Sequence, residues 1–504
     1  MPAHHLPKKS GGKPAFLTVR GFLDSFPVSL NMTQPWEIEN FLEVRNNQLH
    51  IDGVNTVDLA RKYGTPLFVF SEMRIRHNIA RLEKVRDVIG CPLKVCYAAK
   101  AMSTMAILRA VKDAGCDIEV NSGGELWKAL KIGFRGNQII FNGTSKEVWE
   151  LENAINAEIY AIQVDSLYEL SLIEKTAKRL GKRANVSLRL VPEIESDTHS
   201  GLQTALLTSK FGMMPDEAFS AFRDYKDSEH LDLCGIHLHV GSQNPDPVVY
   251  TQAFETLYAG LKQIYEETGK SLRHLNIGGG FPTNYLRGSD DLGVTAAERQ
   301  MFAADFEPSD ALDDAWQAIR EHTEAENSSH LIENLTILIE PGRSIIADAG
   351  ICLTSVRNAK ERPVLESAIR NPRSAIDHWL LTDAGFNILL SMETYKWYYH
   401  LISAERADDA HNFPYKVAGP LCDGGDVYFD VEGEGRLPEY RPLPRGLEPG
   451  HILALLNCGA YSLAQASQYN GRFLPAVVLI PEGGSPEIVR KRDNFEDLTA
   501  NDIF

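Results

Sequence analysis

The amino-acid sequence predicts an α/β fold class, a (β/α)8 TIM-like barrel followed by a C-terminal antiparallel β domain. Three observations carry this. Between residues 93 and 340, eight short apolar segments alternate with segments of helical periodicity, the pattern of right-handed βαβ units that close into a barrel. Several of these segments run directly into lysine, histidine, glycine or glutamate, and the C-terminal strand ends are where a barrel gathers its chemistry. After about Ile346 the alternation stops, and short strand-like runs sit between Gly-, Pro- and Asp-rich turns, as in an antiparallel domain.

Taken in order, residues 1–65 are expected to form an N-terminal arm, part of it packing with the β domain. It should hold a helix around Trp36–Arg45, a strand at Leu49–Val54 and a helix at Leu59–Tyr63. Residues 66–345 carry the barrel, entered through a strand at Pro66–Phe70. The barrel strands are drawn at Leu93–Ala99, Asp117–Val120, Gln138–Phe141, Glu158–Val164, Val186–Val191, Leu233–Val240, His274–Ile277 and Thr336–Glu340. Helices are expected between them, among others at Ser103–Asp113, Gly124–Ile132 and Tyr250–Thr268. Ser122-Gly-Gly-Glu125 reads as a capping box, a hydroxyl for the third amide and a carboxylate returning to the cap amide. The seventh and eighth strands are separated by an acidic insertion near 290–330, and Phe302–Glu326 has helical spacing. That stretch reads as a surface helix open to a role as lid or partner contact. Residues 346–504 should form a β-sandwich or barrel, with strands near Val356 and at Trp379–Leu381, Tyr415–Val417, Val427–Phe429, Ile452–Leu456 and Ala476–Leu479.

The totals bound the function. With 504 residues, 43% of them hydrophobic, the chain can bury more than one core. A formal net charge of -17 argues against a nucleic-acid footprint and against anionic membrane surfaces. A local pocket of backbone donors can still hold a small phosphorylated ligand. The seven cysteines are scattered, with no C-x-x-C pair and no zinc spacing, so no metal is expected and a reducing compartment is the simpler reading. No signal-peptide core and no run of about 18 apolar residues is present, so a cytoplasmic protein is expected.

The strand ends carry the chemistry. The first barrel segment, KVCYAAK, ends in Lys100, which places one ammonium over the rim. The sixth ends His237-Leu-His239-Val-Gly241-Ser242-Gln243, with two alternating histidines and a tight turn. The seventh ends Gly278-Gly279-Gly280, whose uncovered amides suit a phosphate. The eighth ends Glu340-Pro-Gly342-Arg343, a carboxylate and a guanidinium one turn apart. In the β domain, Cys422-Asp423-Gly-Gly-Asp426 and Cys458-Gly-Ala-Tyr461 are polar turn segments. A Cys-His hydrolase would use the cysteines but leave the lysine, the glycines and the glutamate idle. A lysine, a stacking histidine, a phosphate cradle and a strand-end carboxylate fit a cofactor with an aldehyde, a ring and a phosphate. That cofactor is pyridoxal 5'-phosphate (PLP).

Eight segments in this order resemble one family: YAAKAM (97–102), NSGGEL (121–126), SKFGM (209–213), GIHLHVGSQ (235–243), NIGGGF (276–281), EPGR (340–343), GPLCDGGD (419–426) and CGAYSLAQASQYN (458–470). The sequence is similar to the fold type III PLP-dependent amino-acid decarboxylases, the group of diaminopimelate and ornithine decarboxylases, whose barrel is alanine racemase-like. The resemblance implies Lys100 as the Schiff-base lysine, His239 stacked on the ring, and Ser242 beside ring and phosphate. It implies phosphate held by Gly278, Gly279, Gly280, Gly342, Arg343 and Tyr461, with Glu340 on the pyridine nitrogen. It further implies a head-to-tail homodimer with shared sites, in which the partner supplies Cys422 as proton donor to the α-carbon and Asp423 at the distal end of the substrate. Arg343 and Tyr395 are the remaining expected substrate contacts.

The pattern departs from diaminopimelate decarboxylases at two places. Ser391 stands where an arginine reading the distal carboxylate is expected, and Cys422-Asp423-Gly424 replaces a Cys-Glu-Ser segment. Losing a bidentate carboxylate reader points to a specialised relative acting on an unusual diamino or conjugated amino acid, of the siderophore or secondary-metabolism type. A racemase or epimerase on the same barrel, and a non-catalytic interaction protein, are the alternatives.

Overall fold

The computed structural model describes residues 34–191, 194, 203, 206, 208–287, 294–364 and 376–503. All that follows concerns the unit Pro35–Phe504, and most of the expected arm lies outside the described residues.

The eight predicted barrel strands form at Leu93–Ala98, Asp117–Val120, Ile139–Phe141, Ala161–Val164, Ala184–Arg189, Leu231–His237, His274–Asn276 and Thr336–Ile339. They close into a parallel barrel, the eighth pairing with the first through Leu338 and Lys94. Nearly every strand position is buried, because helices cover the outside and side chains fill the inside. Cys96, Ile140, Ala161, Cys234 and Leu338 pack together as a small apolar cluster of their own. Towards the C-terminal ends the buried set turns polar, with Glu119, Asn142, Arg189, His237, Asn276 and Glu340, so the rim is prepared for a ligand.

The sequence reading is corrected in three places. The stretch 36–45 is not a helix. Leu42–Arg45, Gln48–Ile51 and Val54–Asn55 form a three-stranded antiparallel sheet. Asn46 and Asn47 both take positive φ at its first turn, the conformation a two-residue hairpin requires and asparagine tolerates.

Second, the acidic helix is not a surface insertion. The helix Pro308–Ala325 buries Leu312, Ala315, Trp316 and Ile319 and packs against the helices Val248–Thr268 and Val85–Ile89. The Trp316 ring meets Phe254 edge-on at 5.4 Å. It is the ring helix between the seventh and eighth strands, with its acidic side chains on the opposite, solvent face.

Third, the strand Leu67–Ser71, drawn above as the entry to the barrel, belongs by its pairing to the second domain. It lies antiparallel to Gly350–Pro363 and parallel to Ala476–Ile480. Its five residues are all buried. Phe68 and Phe70 join the barrel-side core, while Leu67 and Val69 join a second core with Ile351, Leu353, Ala454 and Val478. The two-residue period of a strand sends alternate side chains to the two cores.

The second domain is a nine-stranded sheet built around the 14-residue strand Gly350–Pro363. Pairing is antiparallel except between Trp379–Leu381 and Lys416–Ala418 and between Leu67–Ser71 and Ala476–Ile480. Among the described residues no helix is long and apolar enough to cross a membrane.

Candidate active site

Lys100 sits in the single 3-10 turn Ala99–Ala101 that follows the first barrel strand, so its ammonium rises from the rim into a cavity of about 340 Å3. The same cavity is lined by His239 and Ser242 from the turn after the sixth strand, and by Glu340 and Arg343 from the turn after the eighth. Tyr395, Ser391, Tyr461 and Gln465 reach it from the second domain. The fold thus gathers residues separated by more than 300 positions.

Two buried carboxylates lie at its floor. Asn142 Nδ2 donates to Glu119 Oε1 and to Glu340 Oε2, each at 2.8 Å, and Asn276 Nδ2 donates to Glu340 Oε1 at 2.6 Å. Among the described residues the second oxygen of Glu119 accepts no hydrogen bond, and it lies 3.9 Å from Lys100 Nζ. Burial, and then the neighbouring Glu119, push the Glu340 carboxyl up to about 7. Burial pulls the Lys100 ammonium down, but Glu119, Tyr461 and Glu340 outweigh it and leave it above its usual value. His239 is held well below its usual range by burial and by Lys100 and Arg189, so the ring is neutral. Its Nδ1 accepts from Gly279 N–H at 3.1 Å, which places the ring proton on Nε2.

The glycine cradle is narrower than predicted. Gly278 N–H is taken by Asn276 Oδ1 and Gly279 N–H by His239. Among the described residues the backbone N–H groups of Gly280, Gly342 and Arg343 have no acceptor, and these three residues line one small recess with Lys100, Ser242 and Tyr461. The glycines are required sterically. A Cβ on Gly279 would lie 2.3 Å from the Glu340 carbonyl oxygen, and Gly280, at φ +95°, would bring one to 2.5 Å from Asn244.

Residues 75–347 match the model of the pyridoxal-dependent decarboxylases, pyridoxal binding domain. The chain is 31% identical over 468 residues to a diaminopimelate decarboxylase of Methanocaldococcus jannaschii, covering 92% of this chain and 96% of the relative. It is 31% identical to that of Bacillus subtilis, covering 91% and 97%. A crystal structure of the M. jannaschii diaminopimelate decarboxylase superposes with a TM-score of 0.78 at 31% identity, covering 92% of this chain and 98% of that one. A co-complex of the same enzyme with L-lysine superposes with a TM-score of 0.77.

The chain belongs to the pyridoxal-dependent decarboxylase family.

It is therefore a carboxy-lyase that uses pyridoxal phosphate to decarboxylate an amino acid. The cavity of this decarboxylase fits the cofactor. Three free amides gather in one recess for a phosphate, and a lysine faces the opening. The buried Glu340 stays raised to about 7 despite Lys100 and two amide donors, and a protonated ring nitrogen beside it would supply a further positive charge.

Sequence reasoning missed Glu119, Asn142, Arg189 and Asn276, which line or support the cavity. Each is a polar residue at or just beyond a barrel strand end in an otherwise apolar run, and that position was the available signal. His237, a candidate by its place at the end of the sixth strand, is buried 3.8 Å from Glu340 Oε2, with neither ring nitrogen hydrogen-bonded among the described residues. Cys422 and Asp423 do not line the cavity of their own chain. Cys422 is exposed on a turn, its N–H donating to Asn470, and Asp423 accepts from Gly425 N–H and Tyr469 Oη.

Proposed function

We propose that this decarboxylase removes the α-carboxylate of a diamino or conjugated amino acid, with Lys100 as the residue that carries the cofactor. The observation behind this reading is one cavity holding the Lys100 ammonium, the free amides of Gly280, Gly342 and Arg343, and the buried Glu340. When bound, the cofactor supplies an electron sink for the pair left by departing carbon dioxide.

The chain's own residues divide the remaining work. Neutral His239 presents a ring face without a competing charge. The amides of Gly280, Gly342 and Arg343, with Ser242 and Tyr461, hold the phosphate. Gly278 and Gly279 hold the backbone of that turn by bonding Asn276 and His239. Glu340 keeps the ring nitrogen protonated, and Asn142 and Asn276 hold its carboxylate in place. Arg343 is fixed by Tyr285 Oη at 2.9 Å and by the faces of Trp397 and Tyr461 at 4.2 and 4.8 Å, which suits a fixed cation for a substrate carboxylate.

Protonation of the α-carbon is assigned to Cys422 of a second copy, with Asp423 beside it facing the distal end of the substrate. Their exposure on one turn and their absence from the lining of their own chain's cavity support a homodimer with two shared sites.

The distal wall supports the substrate class. Ser391 Oγ lies within hydrogen-bond reach of Tyr461 O and of Gln465 Oε1, and Tyr395 stands beside them. Ser391, Tyr395 and Gln465 carry no guanidinium where a distal carboxylate reader is expected, the cations of this cavity being Lys100, Arg189 and Arg343, so a neutral or amide-bearing end is favoured over meso-diaminopimelate.

A panel of lysine, ornithine, diaminopimelate and amide-conjugated diamino acids, scored by carbon dioxide and amine mass, tests the reading. Release from diaminopimelate alone would sink the substrate class, and α-proton exchange without carbon dioxide would favour a racemase. Lys100→Ala should abolish the visible absorbance band of the holoenzyme. A wild-type holoenzyme without that band would overturn the assignment of Lys100.

A further inference from the structure

Behind the cofactor cradle lies a second, polar cavity of about 310 Å3. The helix Glu72–Glu83 contributes Arg74, His77 and Arg81, the turn after the seventh barrel strand contributes Arg287, and Glu307 and Asp348 complete the charges. Two of the three guanidiniums are answered. Arg74 donates from Nε to Asp348 Oδ2 at 2.9 Å, and Arg81 donates to both oxygens of Glu307 at 2.9 and 3.0 Å.

Arg287 is not answered. It is 9% exposed, and among the described residues its guanidinium donates to one acceptor alone, the neutral Asn457 Oδ1, at 2.9 Å from Nε. A buried guanidinium without a carboxylate in contact is costly and is normally paired. Burial pulls Arg287 down to about 10; Asp348 opposes the fall and Arg74 adds to it. His77 is pushed below its usual range by burial and by Arg74 and Arg81, so it adds no charge at neutral pH. Among the described residues that line the cavity, three guanidiniums thus stand against two carboxylates.

We propose that this cavity is a second ligand site, distinct from the cofactor cradle, that takes a small oxyanion on Arg287: free phosphate or sulfate, or the phosphate of a small metabolite. The planar fork of Arg287 has donors to spare for an oxyanion, and a bound anion offsets the excess positive charge among the lining residues. Ser344 lines both this cavity and the cradle recess, so the two sites share a wall.

Calorimetric titration of the PLP-saturated holoenzyme tests the site, because the cradle is then filled. Inorganic phosphate, sulfate and glycerol 3-phosphate are titrated at constant ionic strength set with chloride. Saturable binding is expected, weakened about tenfold or more by Arg287→Gln, which removes a charge-assisted pair. Glu307→Gln, at a half-exposed side chain, should tighten it about threefold or more by removing a repelling carboxylate. This second variant keeps the test open if Arg287→Gln fails to fold. Tighter binding of glycerol 3-phosphate identifies a metabolite, and tighter binding of the inorganic anions identifies the free ion. No saturable heat with any probe, or unchanged affinity in Glu307→Gln, overturns the proposal.

Discussion

Glu119 and Glu340 are two buried carboxylates held by the two N–H bonds of one Asn142 amide, and that arrangement makes opposite predictions for neighbouring substitutions. If the ionised Glu340 is what the ring nitrogen needs, the acid limb of the activity profile follows its pKa. Glu119 raises that pKa and Asn142 lowers it. Glu119→Gln should therefore move the acid limb to lower pH by about one pH unit, and Asn142→Leu should move it to higher pH. The same Glu119→Gln removes the neighbouring carboxylate that raises Lys100 most, so the Lys100 ammonium should lose its proton more easily. Shifts in the same direction for both variants would contradict this arrangement. Asn142→Leu should also lower stability by about 2–4 kcal/mol, since it strips donors from two buried charges, as urea denaturation would show. Lys100 and Glu340 were legible because a charged residue closing an apolar strand is conspicuous. Glu119 and Asn142 were not singled out, because their roles arise only when three strand ends meet.

At the scale of elements, the turn 278–280 and the helix Pro308–Ala325 make the sharpest cases. A methyl group on Gly279 would press on the Glu340 carbonyl, which is backbone and cannot give way easily. Gly279→Ala should cost about 1–3 kcal/mol and weaken cofactor retention on gel filtration, because it displaces the turns that carry both His239 and Glu340. Trp316→Ala separates a ring helix from a lid. A buried tryptophan in a packed ring helix should cost about 3–5 kcal/mol in chemical denaturation, whereas a mobile lid would lose little. The acidic composition of 290–330 suggested an appendage, but composition reports the exposed face of a helix and the buried face needs the neighbour's position. The capping box shows the same limit in miniature. Ser122 Oγ accepts from Glu125 N–H as predicted, while the Glu125 carboxylate bonds Asn121 N–H and not the cap amide.

For the whole molecule, the separation of Cys422 and Asp423 from the cavity of their own chain leads to a test of shared sites. Lys100→Ala and Cys422→Ala should each be nearly inactive. Mixed after dissociation and reassembly, they should recover up to about one quarter of wild-type activity, because half of the dimers then hold one intact site. No recovery under subunit exchange would place Cys422 in the site of its own chain, and an active Cys422→Ala would place it outside the chemistry. The strand Leu67–Ser71 of the nine-stranded sheet shares side chains with both cores, so the barrel and the second domain of one chain pack on a common strand.

The sequence by itself determined the eight strands, their order and the residues that close Lys100, His239, Gly280 and Glu340 onto one rim. Those features are local or periodic, and a parallel barrel converts strand-end positions directly into proximity. Only the tertiary structure decided which domain owns Leu67–Ser71, which glycine amides remain free, and that Asn142 ties Glu119 to Glu340. Each depends on which groups from distant segments satisfy one another's hydrogen bonds and fill one another's space, and neither periodicity nor spacing along the chain carries that information.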